Sequence, residues 1–509
     1  MLAVLRPGGA MATVMPHGVL FRGGAEQEIR ASLLKEDLLE AVIGLPPNLF
    51  YGTGIPACIL VLRAPHGKSP ERQGRVLFIN ADAEYYAGRA QNYLRPEHSE
   101  KIVSTCEAFR DVPGYARVVA VGELGENGYN LNIRRYADNA PPPEPHDVRT
   151  HLLGGVPWAE VEMQRPLFDA VSLDPAALLV PRVPLSPAAA GERMGEGAYL
   201  DFSPDLAALG REGRAQIKAR IEADPGVQAR AAQLRAAFAA WWAEQTPRLA
   251  ALPGSNNLSL ARTALLDSFV QALLPVGLLD RFQVAGVVAS WWSEIQYDLK
   301  TLAAQGFAGL VDSWIASLRA AVEGEGGNVA ARNGSAARSG SDPLEHPLVQ
   351  RLLPEYLERL VALAARVADL KTQIAEQEEQ EEDDGDGSGE SVTRQGGDGF
   401  ELRQDVATLR RQLTADRRAL KAAQDELLDR LDARRAALTG AQAQAMVLEI
   451  ERERLAAELE RYAAARRQQA IAVVENCWDK YHEPLQKIEA EWRGAQTQLK
   501  GFLEELGYA

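Results

Sequence analysis

Through the first eighty positions, apolar residues come in short blocks that glycine and proline close off. Ala10 to Met15 is apolar and rich in β-formers and stops at Pro16 and Gly18, so it reads as a buried strand. Glu26 to Lys35 has helical character, with acids in the first turn where the helix dipole favours them. Leu38 to Leu45 gives the next strand, ended by Pro46-Pro47, and Ala57 to Leu62 another. The loop between these two carries Phe50, Tyr51, Gly52 and Gly54. Arg75 to Asn80 adds one more strand, His98 to Phe109 a helix, and Ala116 to Val121 a short strand. The order is strand–helix–strand followed by a hairpin, which is an α/β pattern. Met1 to Leu5 looks like the tail of a helix stopped at Pro7-Gly8-Gly9, so the fold is expected to begin in its middle.

The pattern changes after Pro141-Pro-Pro-Glu-Pro145, a stiff linker that marks a domain boundary. Residues 150 to 325 read as mostly helical, with Trp241-Trp242 and Trp291-Trp292 in amphipathic runs, and Gly324 to Ser341 reads as a flexible connection. Leu353, Leu360, Val367 and Ile374 then repeat every seven residues, with Tyr356, Leu363 and Leu370 in the companion series. A second such seam holds Leu402, Val406, Leu409, Leu413, Leu420 and Leu427, with Asp416 and Ala423 as weaker positions. Between them, Glu376 to Asp386 is nearly all acidic and leads into Gly/Ser/Asp-rich sequence, too poor in apolar residues to fold. Helix, acidic tip and helix predict an antiparallel coiled-coil hairpin. The tail, with Trp478, Tyr481, Trp492 and Phe502, is expected to pack back on the preceding helix. The expected divisions are 1–140, a helical domain 141–325, a linker 326–345, coiled-coil helices 346–375 and 401–475 around an acidic loop 376–400, and a helical tail 476–509.

Composition narrows the function classes. With 509 residues, 46% hydrophobic and 25% charged, the chain has the ordinary globular balance and room for several domains. Its net charge of -15 weakens a solitary nucleic-acid binder, although an average hides local basic patches. Cys58, Cys106 and Cys477 are far apart and form no CxxC pair, which argues against a disulfide framework or a cysteine metal site and suits the cytoplasm. The N-terminus is too short an apolar run for a signal peptide, and no stretch approaches the roughly 20 apolar residues a membrane span needs. Asn333-Gly334-Ser335 is therefore loop chemistry. No Walker A sequence supports a nucleotide-driven motor.

The stretch "LRPGGAMATVMPHGVLFRGGAEQEIRASLL" followed by "LEAVIGLPPNLFYGTGIPACILVL" resembles the later half of the methyltransferase domain in modification (M) subunits of type I restriction–modification systems. The likeness continues through "VLFINADAEYY" and "AQNYLRPEH" and closes with "GYNLNIRRYAD" at Gly128 to Asp138. The helical remainder, especially "ASWWSEIQYDLKTLAAQGFAGLVDSWI", looks like the extension of larger members. The resemblance implies the later strands of a doubly wound methyltransferase sheet, followed by a largely α-helical region with a coiled-coil hairpin. It further implies transfer of a methyl group from S-adenosylmethionine to N6 of an adenine extruded from the duplex, at a site chosen by a specificity (S) subunit and alongside a restriction (R) subunit. In that family an Asn-Pro-Pro-aromatic motif positions the amine and an upstream glycine loop cradles the cofactor. Neither stands in this sequence: Pro46-Pro47 is preceded by Leu45 and followed by Asn48, and Phe21-Arg22-Gly23-Gly24 is only superficially a glycine loop. No catalytic, cofactor-binding or metal-binding residue is therefore assigned, and the chain alone is expected to bind no S-adenosylmethionine.

Phe50 is the functional candidate that remains, because in related enzymes an aromatic in the loop between the last two strands stacks on the extruded adenine; Tyr51 is the alternate. Its bland counterpart is a loop aromatic anchoring the hairpin. His17 ends a strand at the cleft but lacks an orienting carboxylate, which favours an ordinary loop histidine. Gly23-Gly24 precedes a helix, yet Glu26 and Glu28 would repel a phosphate, so a tight turn is the better reading. The tryptophan pairs read as core or interface anchors, and the heptads as an internal hairpin or a partner coil. The expected function is that of an N6-adenine DNA methyltransferase M subunit, inactive alone and acting on double-stranded DNA with its partners. The alternative is a non-enzymatic coiled-coil assembly protein derived from one.

Overall fold

A computed structural model of the chain describes residues 2–140, 147–182, 198–254, 257–324, 346–383 and 398–508. The expected linkers at Pro141–Pro145 and 326–345, the Asn333 turn and the tip at 384–397 lie outside the described residues. The chain divides into two compact units: Met1–Glu244, Ser259–Glu294 and Leu455–Ala509 form the first, Gln245–Leu258 and Ile295–Arg454 the second.

The first unit is built on β1 (Ala10–Pro16), β2 (Leu39–Gly44), β3 (Ala57–Arg63), β4 (Arg75–Asn80), the small hairpin β5 (Tyr86–Ala87) and β6 (Asn92–Tyr93), and β7 (Ala116–Ala120). Five of these make one sheet in the order β1-β3-β2-β4-β7. Only β2 and β4 pair in parallel; the other neighbours are antiparallel, so the sheet is mixed. Every residue of β2 is buried, as expected of a strand covered on both faces, with Glu40 neutralised by ion pairs to Arg63 and Arg72. β1 corrects the expectation of a buried strand. Only β3 pairs with it among the described residues, and its positions alternate between exposed and half-buried, with Val14 53% exposed. The expected helix tail at Met1 to Leu5 is also corrected: Leu2–Val4 is a single 3-10 turn, followed by a tight turn at Gly8, whose φ of 75° suits glycine.

Helices cover both faces of the sheet. α1 (Ala25–Lys35), α3 (Val121–Glu126) and α4 (Ile133–Tyr136) lie over Leu20, Leu34, Val42, Val76 and Phe78, whereas α2 (Pro96–Ala108) lies over Ile43, Leu77, Ile79 and Tyr115. Arg30 on α1 is buried, and its guanidinium donates to the carbonyls of Tyr129, Val19 and Arg22 at 2.9, 2.8 and 2.7 Å. Two loops are thereby fastened to one helix.

Beyond α5 (Val148–Leu153) a second, three-stranded sheet was not anticipated: β8 (Val156–Pro157), β9 (Leu179–Pro181) and β10 (Tyr199–Phe202), ordered β8-β10-β9. Strands this short give too few alternations to show a period of two. They are interleaved with α6 (Trp158–Met163) and α7 (Arg165–Val171), and followed by α8 (Pro204–Ala207), α9 (Gly213–Ala223), α10 (Pro225–Ala250), α11 (Leu258–Leu273) and α12 (Arg281–Gly324). Trp241, Trp242 and Trp291 are buried, which makes them core, and the Trp241 indole donates to Ser268 Oγ at 3.0 Å. α12 kinks at Gly306, whose φ is 73°.

The second unit contains α13 (Pro347–Leu352), α14 (Pro354–Asp383), α15 (Asp398–Ala437) and the start of α16 (Gly440–Tyr481). Leu353, Leu360, Val367 and Ile374 are all buried, as their spacing requires. Tyr356 donates to the Ala423 carbonyl at 2.5 Å and Arg366 pairs with Asp416 at 3.0 Å, so α14 and α15 run antiparallel. Val367, Ile374 and Leu413 cluster between them with Leu370, Leu409 and Leu420. Two boundaries differ from expectation. Residues 376–383 continue α14, because glutamate and glutamine are good helix formers once a helix is under way. The helix expected over 401–475 breaks after Ala437 and resumes at Gly440.

His346 caps α13: its Nδ1 accepts from the Leu348 amide at 3.1 Å. Burial, followed by the Arg454 charge, pushes this imidazole down to about 4. An unfolded histidine titrates near 6.5, so the unfolded chain takes the proton first and stability falls as pH drops from about 6.5 towards 4. Thermal midpoints read by circular dichroism should fall across that window. Asparagine caps equally well without titrating, so His346→Asn should flatten the decline; an unchanged slope would discard this account.

The tail splits. Trp478 and Tyr481 at the end of α16 are buried in the first unit, where Glu160 accepts from Lys480 and Tyr481 at 2.7 and 2.6 Å. The expectation that Trp492 and Phe502 pack back fails: they are 62% and 61% exposed on α17 (Leu485–Glu505). Pro484 interrupts the helix and starts α17 afresh, with its apolar stripe uncovered.

Candidate nucleic-acid interface

β1 and β2 are each antiparallel to β3, and β4 is parallel to β2, so the carboxyl ends of β1, β2 and β4 meet at one rim of the sheet. β1 delivers His17 there, β2 the loop from Leu45 to Pro56, and β4 Asn80 and Asp82. In that loop Phe50 is 42% exposed and Tyr51 85% exposed. The loop is nevertheless well held. The Leu45 amide donates to the Ala57 carbonyl at 2.9 Å, Phe50 and Thr53 form an isolated bridge, and Thr53 Oγ1 accepts from the Ile55 amide at 3.1 Å. Asn48 adopts a φ of 54°, a conformation asparagine tolerates better than most residues. From β6, the Asn92 side chain donates to the Pro47 carbonyl at 2.8 Å and its amide to the Asn48 carbonyl at 2.8 Å.

The segment Gly128 to Asp138 closes the rim. Leu131, Ile133, Tyr136 and Ala137 are buried, and Asn80 Nδ2 donates to the Ala137 carbonyl at 3.0 Å. This seats Arg134 on Asp82 at 2.8 Å, and Asn139 donates to the same carboxylate. Sequence reading missed Asp82, Arg134 and Asn139, because no local signal links residues that far apart in the chain. His17 feels this cluster. Burial lowers its pKa first, the Arg134 charge adds to that, and Asp82 opposes both. The imidazole is thus favoured neutral; the Asp82 carboxylate accepts its hydrogen bonds from Arg134 and Asn139, and His17 lies edge-on to Phe21 at 6.0 Å. Gly24 has a φ of 66° and leads into α1, as expected of a tight turn.

The glycines bordering this rim leave uneven room: an added Cβ would meet nothing within 4 Å at Gly52 or Gly54. A Cβ at Gly18 would meet the Arg22 guanidinium at 2.8 Å, and one at Gly44 would meet Ile133 Cδ1 at 2.8 Å, so the space beside both glycines is already filled. No group of three or more His, Cys, Asp or Glu side chains could hold a metal among the described residues. Two cavities, of about 730 and 310 Å³, lie at the opposite rim around Arg72, Glu107 and Phe109. There Glu40 is buried; burial works against its charge, but hydrogen bonds from Arg63 and Arg72 outweigh it and lower its pKa. That is a structural ion cluster. Burial pushes the Cys58 and Cys106 thiols up to about 11, which makes them poor nucleophiles. No helix among the described residues is long and apolar enough to cross a membrane.

The segment that carries this rim has relatives among known proteins. Residues 1–144 match the N-6 DNA Methylase family. Within that segment the chain is 39% identical over 142 residues to the methylase subunit of the type I restriction enzyme MjaVII of Methanocaldococcus jannaschii, covering 27% of this chain and 24% of the relative. It is 32% identical over 148 residues to the MpnII methylase subunit of Mycoplasma pneumoniae, covering 29% and 26%. A solved methyltransferase subunit of a type I restriction-modification system from Streptococcus thermophilus is 42% identical over 26% of this chain and 27% of its own, with a TM-score of 0.24. The resemblance to type I M subunits read from the sequence is thereby borne out. The chain spans about a quarter of the length of the curated relatives it matches.

Proposed function

We propose that this chain supplies the base-facing rim of an N6-adenine DNA methyltransferase, as the M subunit of a type I restriction–modification system. The observation that carries the reading is the exposed, well-held Phe50 on a rim whose sequence matches the N-6 DNA Methylase family. When bound, S-adenosylmethionine supplies the methyl group. In this chain Phe50, with Tyr51 as alternate, stacks on the extruded adenine and leaves its edge free for that transfer. The Asn-Pro-Pro-aromatic motif and glycine loop that the resemblance would require do not stand in this sequence, so this reading gives these residues no part in holding the cofactor. The free edge of β1, with Val14 exposed, is a place where further strands could add.

The partners that follow are a specificity subunit that selects the double-stranded site and a restriction subunit. The seam between α14 and α15 is read as a coiled-coil hairpin. One observation favours the second reading, a non-enzymatic assembly protein: Leu485, Ile488, Trp492, Leu499, Phe502 and Leu506 form an exposed seam along α17 at heptad spacing.

Calorimetric titration of S-adenosylmethionine into the full 509-residue chain tests the division of labour. The expected result is no detectable heat of binding. Tight binding would overturn the assignment of this chain to the base-facing rim alone.

A further inference from the structure

Beside the Phe50 loop, the hairpin of β5 and β6 places several aromatic and cationic groups together. Tyr86 and Tyr93 are directly opposite in register, so their side chains share one face of the hairpin. Both are exposed, at 49% and 42%, and Tyr85 next to them is 39% exposed. The Arg95 guanidinium lies over the Tyr86 ring, 3.5 Å from its centroid, which presets both groups. Arg89 stands exposed at the tip with no carboxylate partner among the described residues. The nearby acids are already engaged: Glu84 with Lys101, and Asp82 with Arg134 and Asn139. The platform thus offers flat π-faces and unspent positive charge, in a chain whose net charge is negative.

The hairpin is also rigid and linked to the candidate site. A Cβ at Gly88 would come within 2.4 Å of the Tyr93 ring, so only glycine lets that ring lie against the turn. Asn92 clamps the hairpin to the carbonyls of Pro47 and Asn48, immediately before Phe50. A surface of aromatics interleaved with arginine suits unstacked bases and the phosphates between them.

We propose that the β5–β6 hairpin is a second nucleic-acid contact, in which Tyr86, Tyr93, Arg89 and Arg95 hold the DNA strand flanking the extruded adenine. This rests on the reading of the rim as base-facing. Arg89 contacts phosphate, and the two tyrosines stack on or beside a neighbouring nucleotide. The hairpin is therefore a positioning element for the strand and takes no part in methyl transfer.

The test is fluorescence anisotropy of the full chain with a labelled, mixed-sequence single-stranded oligonucleotide at low salt. Arg89→Ala is expected to weaken binding about fivefold or more and to reduce the slope of log affinity against log salt by about 1. Tyr93→Ala is expected to weaken binding about tenfold, whereas Tyr93→Phe keeps the stacking face and stays near the parent value. Arg89 is exposed at the tip, so its substitution leaves the fold intact and keeps the test open if Tyr93→Ala unfolds the hairpin. Binding lowered by Phe50→Ala but unchanged by both Arg89→Ala and Tyr93→Ala would overturn the hairpin proposal alone. No binding of the oligonucleotide by the parent chain would overturn the base-facing reading and the hairpin proposal with it.

Discussion

Replacing Phe78 with alanine is expected to destabilise the first unit by about 3–5 kcal/mol, the usual cost of emptying a phenylalanine site in a packed core. Phe78 has no exposed surface, sits on β4 between β2 and β7, and packs its ring against Tyr136 with centroids 4.5 Å apart. The loss would not stay local. Tyr136 belongs to α4, and its hydroxyl donates to the Asn130 carbonyl at 2.7 Å, so the ring pair holds down the segment that seats Arg134 on Asp82. A chain of two units is a poor two-state system, so the measurement is amide hydrogen exchange resolved to peptides. Protection over residues 128–138 should fall by two or more orders of magnitude, at about 1.4 kcal/mol per factor of ten, while peptides from the second unit keep theirs. Phe78→Leu, a smaller change of volume, should cost clearly less. Unchanged protection in Phe78→Ala would show that the segment is held by something other than this ring pair.

That latch shows where sequence reasoning reaches and where it stops. The strands Leu39–Gly44 and Arg75–Asn80 were legible from their mainly apolar, β-branched cores, Ala41–Ile43 and Val76–Ile79, which are buried. The helix α1 was legible from its first-turn acids, Glu26 and Glu28. The heptad seam was legible because Leu353, Leu360, Val367 and Ile374 obey a period long enough to count. The orientation of β1 was not: alternation between half-buried and exposed positions is invisible when Ala10, Ala12 and Val14 on the exposed side are themselves apolar. α17 misled for the same reason. Trp492 and Phe502 are typical core residues by type, and nothing local shows that the stripe they form is uncovered. At the rim, Phe50 was found through its loop position and a family likeness. Asp82, Arg134 and Asn139 depend on long-range pairing, and the Tyr86–Arg95 stack on a hairpin too short to announce itself.

The second large effect concerns Phe50. An aromatic that stacks on an unpaired base contributes about 1–3 kcal/mol by alanine substitution. At about 1.4 kcal/mol per factor of ten, that is roughly a 5- to 150-fold loss of methyl transfer. The side chain is 42% exposed and belongs to neither core cluster of the sheet, so its removal should leave the unfolding midpoint nearly unchanged. Phe50→Trp keeps a stacking face and should retain most of the rate, whereas Phe50→Leu, apolar but not flat, should resemble alanine. Tyr51→Ala is expected to have a small effect, since Phe50 is the half-seated ring and Tyr51 the fully solvated one. A large loss on Tyr51→Ala with none on Phe50→Ala would transfer the stacking role to the alternate residue.

The most direct measurement is therefore transfer of labelled methyl to DNA by an enzyme assembled from this chain, a polypeptide bearing the S-adenosylmethionine-binding half, and a specificity subunit. With the unaltered chain, label should appear on N6 of adenine, and with Phe50→Ala the rate should fall by roughly 5- to 150-fold. Full methylation by a complex in which both Phe50 and Tyr51 are alanine would contradict the claim that this rim receives the base.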